Sequence, residues 1–173
     1  EICLYDSLMD HKLLEELPST AEAIDVGKRC GAHSKQQQVI TDLLCDRARR
    51  GKKVVRLKGG DPGIFGRLTE ETTALEELQI AYRVIPGISA LQAATTGTGM
   101  LLTRRDISRG FVALTPRAAA GKLAPCDANQ KSTLPIVYYM SIKAMDHITK
   151  ELLNDGYPKS TPVAVIYNAG GLD

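Results

Sequence analysis

The residues from Val54 to Arg67, VVRLKGGDPGIFGR, combine a β-branched run with a double glycine, an acid and a proline. A glycine pair after a strand lets the main chain adopt positive φ and approach a ligand closely. Asp61 offers carboxylate oxygens as acceptors, and Pro62 stiffens the exit from the loop. On these four residues alone, a plain turn between a strand and a helix is the more frequent interpretation, and a ligand-binding loop is the alternative.

The composition of this loop indicates which ligands it suits. Glycine-rich loops that bind phosphate carry a Walker sequence or G-x-G-x-x-G, and neither pattern follows Gly59 and Gly60. Asp61 would also repel an anion. The loop therefore suits a ribose diol or a positively charged ligand better than a pyrophosphate.

Further motifs accompany this loop in a fixed order along the chain. They are LYDSLM from Leu4, VGKRCGAHS from Val26, PGISA from Pro86, LLTRRD from Leu101, YYM from Tyr138 and PVAVIYNA from Pro162. Together they resemble the tetrapyrrole methylases over nearly the whole chain, and within that superfamily the uroporphyrinogen-III C-methyltransferases. The resemblance implies transfer of methyl groups from S-adenosylmethionine to uroporphyrinogen III, which gives precorrin-2 for sirohaem or cobalamin biosynthesis.

Two alternatives share part of this pattern. A methylase acting on a later corrin precursor would keep GGDP and PGISA but need not keep VGKRCGAHS or Arg56. A donor-binding module without turnover is the second alternative. The family pattern also has a glycine-rich strand and loop before LYDSLM and further strands after PVAVIYNA, so the resemblance covers the family pattern without its two ends.

The resemblance also implies roles for individual residues. Asp6 is expected to accept a proton and Lys28 to donate one. The residues expected to bind the methyl donor are Gly59, Gly60, Asp61, Ile64, Ser89, Ala90, Met140 and Ala169. Judged without the family, Asp6 serves equally well as the N-cap of a following helix. A solvated turn lysine is the alternative interpretation of Lys28, and packing is the more frequent interpretation of Met140.

The expected acceptor carries acetate and propionate side chains, so its pocket should present guanidinium groups, which pair bidentately with carboxylates. The candidates for these substrate contacts are Arg29, Arg56, Arg67 and Arg105. Arg56 stands out, because a charge inside the apolar run VVRL is expected to point into a cleft or into solvent rather than into the core.

The composition, with 43% hydrophobic and 24% charged residues, is that of an ordinary globular protein. No apolar run is long enough to span a bilayer, and the net charge of +2 argues against general nucleic-acid binding. The four cysteines form no C-x-x-C pair and have no histidine at metal-ligand spacing, so free thiols and no metal are expected. Free thiols and the lack of a signal-like start favour the cytoplasm, and the resemblance implies a homodimer.

Strand and helix patterns alternate along the chain, which predicts an α/β fold with a mainly parallel sheet. The predicted strands cover residues 2–5, 23–26, 53–57, 83–85, 111–114, 134–139 and 163–167. The predicted helices cover residues 8–17, 34–50 with a Ser34–Gln37 capping box and Gly51 as terminator, 70–78, a short run from 89, and 142–155 with Gly156 as terminator. The alternation restarts after Arg104, which predicts a domain boundary near Arg105 and two domains, residues 1–104 and 105–173. The resemblance implies a mixed sheet in the second domain and an active site in the cleft between the two.

Overall fold

The computed structural model describes residues 1–7, 9–27, 33–116, 123 and 134–170, with the side chains of residues 33–36 outside the description. Contacts divide the chain into two compact units, Glu1–Ser89 and Ala90–Asp173. This division falls earlier in the chain than the domain boundary predicted near Arg105, which remains a prediction.

A three-stranded parallel sheet organises the first unit. Its strands are β1 (Ile2–Tyr5), β2 (Glu22–Asp25) and β3 (Val54–Leu57), in the order β2-β1-β3. Parallel strands that follow each other along the chain need crossover connections, and helix α1 (His33–Arg49) lies in the connection from β2 to β3 on the other side of β1. The predicted parallel sheet is confirmed for these strands.

The central strand β1 carries the core of this unit. Ile2, Cys3 and Leu4 are all buried, and consecutive burial means that both faces of the strand are covered. Leu44 and Cys45 from α1 join this core, as does Leu75 from helix α2 (Leu68–Glu77). Cys3 and Cys45 are free thiols, as predicted, and burial raises the pKa of each.

The second unit contains helix α3 (Ala90–Thr98), strands β4 (Val112–Leu114) and β5 (Ile136–Tyr138), and helix α4 (Met145–Asn154). β4 and β5 pair in parallel, and the mixed sheet predicted here remains a prediction. The face of α4 that carries Ile148 packs against Tyr138. Gly156 follows the helix with φ +87°, a conformation that suits the predicted terminator.

Two predicted strands differ from the structure. Residues 83–85 and 163–167 are not strands, and Ile85, Val163 and Tyr167 are largely exposed. A β-branched run becomes a strand only when a neighbour pairs with its main chain, and neither run is paired within the described part of the chain. Sequence preference alone could not reveal the lack of a partner.

The helix predicted over residues 8–17 is a 3₁₀ helix from His11 to Glu16, with Leu8 outside the described residues. Its N-cap is Asp10, whose side chain accepts from the Lys12 amide at 2.9 Å, so the cap interpretation of Asp6 is wrong. The predicted capping box is only half described, because the Ser34 side chain lies outside the description. Gln37 is buried and donates its side-chain amide to Glu71.

Among the helices of the described ranges, none combines the length and the apolar character that crossing a membrane requires.

Substitution of Leu4 by alanine tests the core of the first unit. Leu4 is 0% exposed, so truncation leaves a cavity and should lower the free energy of unfolding by about 2–5 kcal/mol. Leu13→Ala is the matched control, because Leu13 is 50% exposed and its truncation should cost less than about 0.5 kcal/mol. Native-state hydrogen exchange of amides in β1, β2 and β3 of the full-length protein measures both. Equal losses would contradict the burial of Leu4.

Candidate functional site

The carboxyl ends of the three parallel strands lie at one edge of the sheet, and part of a motif from the sequence analysis follows each of them. Asp6 follows β1, Gly27 follows β2 shortly after its end, and Gly59–Asp61 follow β3. In parallel α/β sheets, ligands bind beyond the carboxyl ends of the strands. The topology therefore brings the LYDSLM motif, the start of VGKRCG and the GGDP loop to the same edge.

The ends of β1 and β2 are in direct contact. The Val26 amide donates to the Tyr5 carbonyl at 2.9 Å, and the Gly27 amide donates to the Asp25 carboxylate at 2.7 Å. A Cβ on Gly27 would overlap the Ser7 hydroxyl, so glycine allows the two chain segments to approach. Lys28 and Arg29, predicted as proton donor and substrate contact, lie outside the described residues.

Asp61 joins the two motifs predicted to bind the methyl donor. One carboxylate oxygen accepts from the Gly63 amide at 2.8 Å, and the other accepts from the Gly87 amide at 3.0 Å. A Cβ on Gly87 would overlap the carbonyl oxygen of Gly60, so the main chains of GGDP and PGISA meet at this point. A carboxylate has roughly four acceptor positions, which leaves Asp61 capacity for a ligand hydroxyl or ammonium.

The residues predicted to bind the donor are found in both units. In the first unit Gly59 and Gly60 are exposed, Ile64 is 38% exposed and Ser89 is buried. Exposed glycine main chain next to an apolar side chain is a surface that fits a nucleoside, because no side chain blocks a close approach.

Ala90, Met140 and Ala169 belong to the second unit. Met140 lies just after β5 with φ +55° and is 53% exposed. Ala169 is half-buried. This exposure differs from the packing interpretation of Met140, and it leaves the thioether accessible to a ligand.

The environment of Arg56 differs from the predicted one. Its side chain is only 10% exposed rather than directed into solvent. Its Nη2 donates to Asp6 Oδ1 at 2.7 Å and its Nε to Glu71 Oε1 at 3.1 Å, while Nη1 donates to the carbonyls of Leu4 and Leu57. Two carboxylates compensate the charge and two carbonyls accept further N–H groups, so burial of this guanidinium is tolerated.

Sequence reasoning missed Glu71 and Lys58, which extend this set of contacts. Glu71 is 2% exposed, and Lys58 Nζ lies 3.0 and 3.1 Å from its two carboxylate oxygens. The Gln37 amide donates to Glu71 Oε1 at 3.2 Å. The sequence carries one signal for such an acid. Arg56 and Lys58 are two positions apart and so lie on one side of an extended chain, where two positive charges need a common negative partner.

The other predicted substrate arginines have separate surroundings. Arg67 has φ +55° immediately before α2, pairs with Glu70 at 2.7 Å and borders a groove of about 430 Å³ between α1 and α2. Arg105 is an exposed turn residue in the second unit. The structure therefore brings Arg56, but not Arg67, into contact with Asp6 among the described residues.

Comparison with known proteins defines the class of this fold and site. Residues 1–173 match the family described as Tetrapyrrole (Corrin/Porphyrin) Methylases, and the chain belongs to this family. It is 40% identical over 168 residues to the uroporphyrinogen-III C-methyltransferase of Methanocaldococcus jannaschii, covering 96% of this chain and 69% of that protein. Other curated relatives are named siroheme synthases, and the chain spans about a third of their length.

Two solved structures show the same fold. The uroporphyrin-III C-methyltransferase of Thermus thermophilus, crystallised with S-adenosyl homocysteine, matches with a TM-score of 0.75 and 35% identity, over 91% of this chain and 65% of that chain. A cobalamin biosynthetic enzyme, cobalt precorrin-4 methyltransferase, matches with a TM-score of 0.79 and 27% identity, over 99% of this chain and 71% of that chain. The α/β fold expected from the sequence is confirmed.

Substitution of Gly87 by alanine tests the contact between the two loops. The new Cβ would overlap the Gly60 carbonyl oxygen, so we expect a loss of about 1–3 kcal/mol in the free energy of unfolding and shifted amide resonances for Gly60 and Gly63. Heteronuclear NMR and urea denaturation of the full-length protein measure these effects.

Gly97→Ala is the matched control for this substitution. A Cβ on Gly97 meets nothing within 4 Å, so the resonances of Gly60 and Gly63 should stay in place. Replacing glycine inside α3 should also stabilise the protein by about 0.5–1 kcal/mol. Unchanged Gly60 and Gly63 resonances in Gly87→Ala would show that the loops do not touch.

Proposed function

We propose that this chain belongs to an enzyme that methylates uroporphyrinogen III on carbon, with S-adenosylmethionine as the methyl donor, in sirohaem or cobalamin biosynthesis. The observation that carries the proposal is the placement of Asp6 and the GGDP loop after the neighbouring parallel strands β1 and β3, within the tetrapyrrole methylase fold. At a shared sheet edge, the glycine-rich loop can bind the methyl donor while the carboxylate takes a proton from the methyl acceptor.

The donor is proposed to bind to the main chain of Gly59 and Gly60, with Asp61 accepting from a hydroxyl or the ammonium group. Ile64 and Ser89 complete the part of this site in the first unit. In the second unit Ala90, Met140 and Ala169 are the proposed contacts. Strand-end carbonyls suit a sulfonium cation and an adenine amino group, and the Met140 thioether offers a polarizable wall.

Methyl transfer from a sulfonium is an in-line displacement. A pyrrole carbon attacks the methyl carbon, a C–C bond forms, and the electron pair of the breaking S–C bond returns to sulfur. Positive charge moves from sulfur to the ring, which then loses a proton to regain its conjugation. Asp6 is the proposed acceptor of that proton, and Lys28 is the proposed proton donor. Because the methyl group passes directly from one reactant to the other, the protein mainly positions the two reactants.

The acceptor's carboxylates are proposed to pair with arginines. Arg29, Arg67 and Arg105 remain the candidates for direct contact. Arg56 instead acts through Asp6 in this proposal, because its N–H groups donate to Asp6, Glu71 and two carbonyls. A guanidinium engaged in this way has little remaining capacity for a substrate carboxylate.

The wider setting of the enzyme follows from the same family. We propose a cytoplasmic homodimer with two domains, residues 1–104 and 105–173 in this chain, and an active site in the cleft between them. The acceptor is a small-molecule tetrapyrrole, and neither nucleic acid nor a membrane takes part.

Asp6→Asn tests the proposed proton acceptor. Asparagine keeps an oxygen for Arg56 but cannot take up the ring proton, so product formation should fall by about 100-fold or more. The affinity for S-adenosylhomocysteine should stay within about twofold, because Asp6 is not among the proposed donor contacts. Calorimetry with S-adenosylhomocysteine and anaerobic formation of precorrin-2 by the full-length protein provide the two measurements.

Asp146→Asn is the control, since Asp146 is exposed at the start of α4 and should retain full turnover. No binding of S-adenosylhomocysteine by the folded full-length protein would refute the methylase proposal. Binding without product from uroporphyrinogen III would favour either a later corrin precursor as the acceptor or a donor-binding module without turnover.

A further inference from the structure

Four charged side chains form a connected cluster at the carboxyl edge of the sheet. The buried charge cluster consists of Asp6, Arg56, Lys58 and Glu71, with contacts of 2.7 Å from Arg56 to Asp6, 3.1 Å from Arg56 to Glu71, and 3.0 Å from Lys58 to Glu71. Exposure rises along the cluster, from 2% at the Glu71 side chain to 10% at Arg56 and 27% at Asp6. Its accessible end is therefore the proposed proton acceptor.

The cluster is balanced, with two cations and two carboxylates. Charges this deeply buried contribute little net stability, because removing them from water costs about as much as their attraction returns. Replacing a whole buried ion-pair set with well-packed apolar residues of similar volume is often neutral for stability. Compensation of Arg56 therefore explains Glu71 only once Arg56 itself is present, and stability alone does not account for the set.

We propose that Glu71 is a positioning residue for Asp6, an inference that rests on the proposed function of Asp6. Glu71 accepts from the Nε–H of Arg56, and the Leu4 and Leu57 carbonyls accept from Nη1. These three acceptors fix the plane of the guanidinium. Nη2 is then directed at Asp6 Oδ1, and the other oxygen of that carboxylate is held in one orientation for the ring proton.

The roles of Lys58 and Gln37 follow from the same arrangement. Both donate to Glu71, so the carboxylate cannot rotate away from Arg56. Lys58 also supplies the second positive charge, without which Glu71 and Asp6 would share one guanidinium. Lys58 directly precedes Gly59, so the cluster also connects the proton acceptor with the start of the donor loop.

Two double variants that carry the same charge separate positioning from stability. Glu71→Gln with Lys58→Met keeps an acceptor oxygen for Arg56 Nε, whereas Glu71→Met with Lys58→Met removes it. Both leave Arg56 and Asp6 as a balanced pair. We expect kcat of the Glu71→Met protein to be about 10- to 100-fold below that of the Glu71→Gln protein, with the same Kd for S-adenosylhomocysteine. Equal kcat values in the two folded variants would overturn the proposal.

A double-mutant cycle with Asp6→Asn separates an effect of Glu71 through Asp6 from a purely structural effect of Glu71. Both double variants are made again in an Asp6→Asn background. If Glu71 acts through Asp6, the Glu71→Met and Glu71→Gln proteins should then have the same kcat. A difference as large as the one with Asp6 intact would assign Glu71 another role. If Asp6→Asn alone keeps full turnover, the proposed function of Asp6 fails, and this outcome is distinct from failure of the Glu71 inference.

Arg56→Lys provides a second test should the Glu71→Met protein not fold. Lysine keeps the positive charge but cannot reproduce the guanidinium fork that reaches Asp6 and Glu71 together. We expect kcat to fall by about 10-fold or more while S-adenosylhomocysteine binding is unchanged. Full kcat in the folded Arg56→Lys protein would overturn the positioning role.

Discussion

The burial of the Arg56 guanidinium is the constraint on which the candidate site depends. A positive charge with 10% exposure must meet negative charge, and no acid in β3 itself can supply it. The compensation comes from Asp6 at the end of β1 and Glu71 in the first turn of α2. The Arg56 side chain thereby fixes the ends of β1 and β3 and the start of α2 relative to one another. The need to compensate one buried charge therefore also determines how these three elements are arranged.

Parallel pairing supplies the second part of this organisation. Tyr5 lies beside both Asp25 and Leu57 in the register, so the segments that leave β1, β2 and β3 start from the same level. Motifs that are far apart in sequence become neighbours for that reason alone. Glycine then decides how closely they approach, since a Cβ at Gly27 or Gly87 would overlap atoms of an adjoining segment.

The limits of sequence reasoning follow from the same physics. β1 was predicted with its observed bounds, and the GGDP loop was placed correctly after β3, because apolar runs and glycine punctuation are local signals. The burial of Arg56 was not predicted, since it depends on Glu71, a residue in another element. Residues 163–167 have strand composition without a strand partner in the described chain, which composition cannot report. The predicted roles of Lys28 and Arg29 remain predictions.

Asp6 and Asp61 show how two carboxylates at one sheet edge acquire different electrostatic character. Asp61 accepts from the neutral amides of Gly63 and Gly87, which fix its orientation without cancelling its charge. Asp6 accepts from a guanidinium within a balanced cluster. Under the proposed function, a cationic methyl donor would therefore be attracted to the GGDP loop rather than to Asp6. In the proposed function, the bond from Arg56 orients Asp6 for the proton step that follows methyl transfer. The difference between the two carboxylates therefore arises from the hydrogen-bond donors that each one meets.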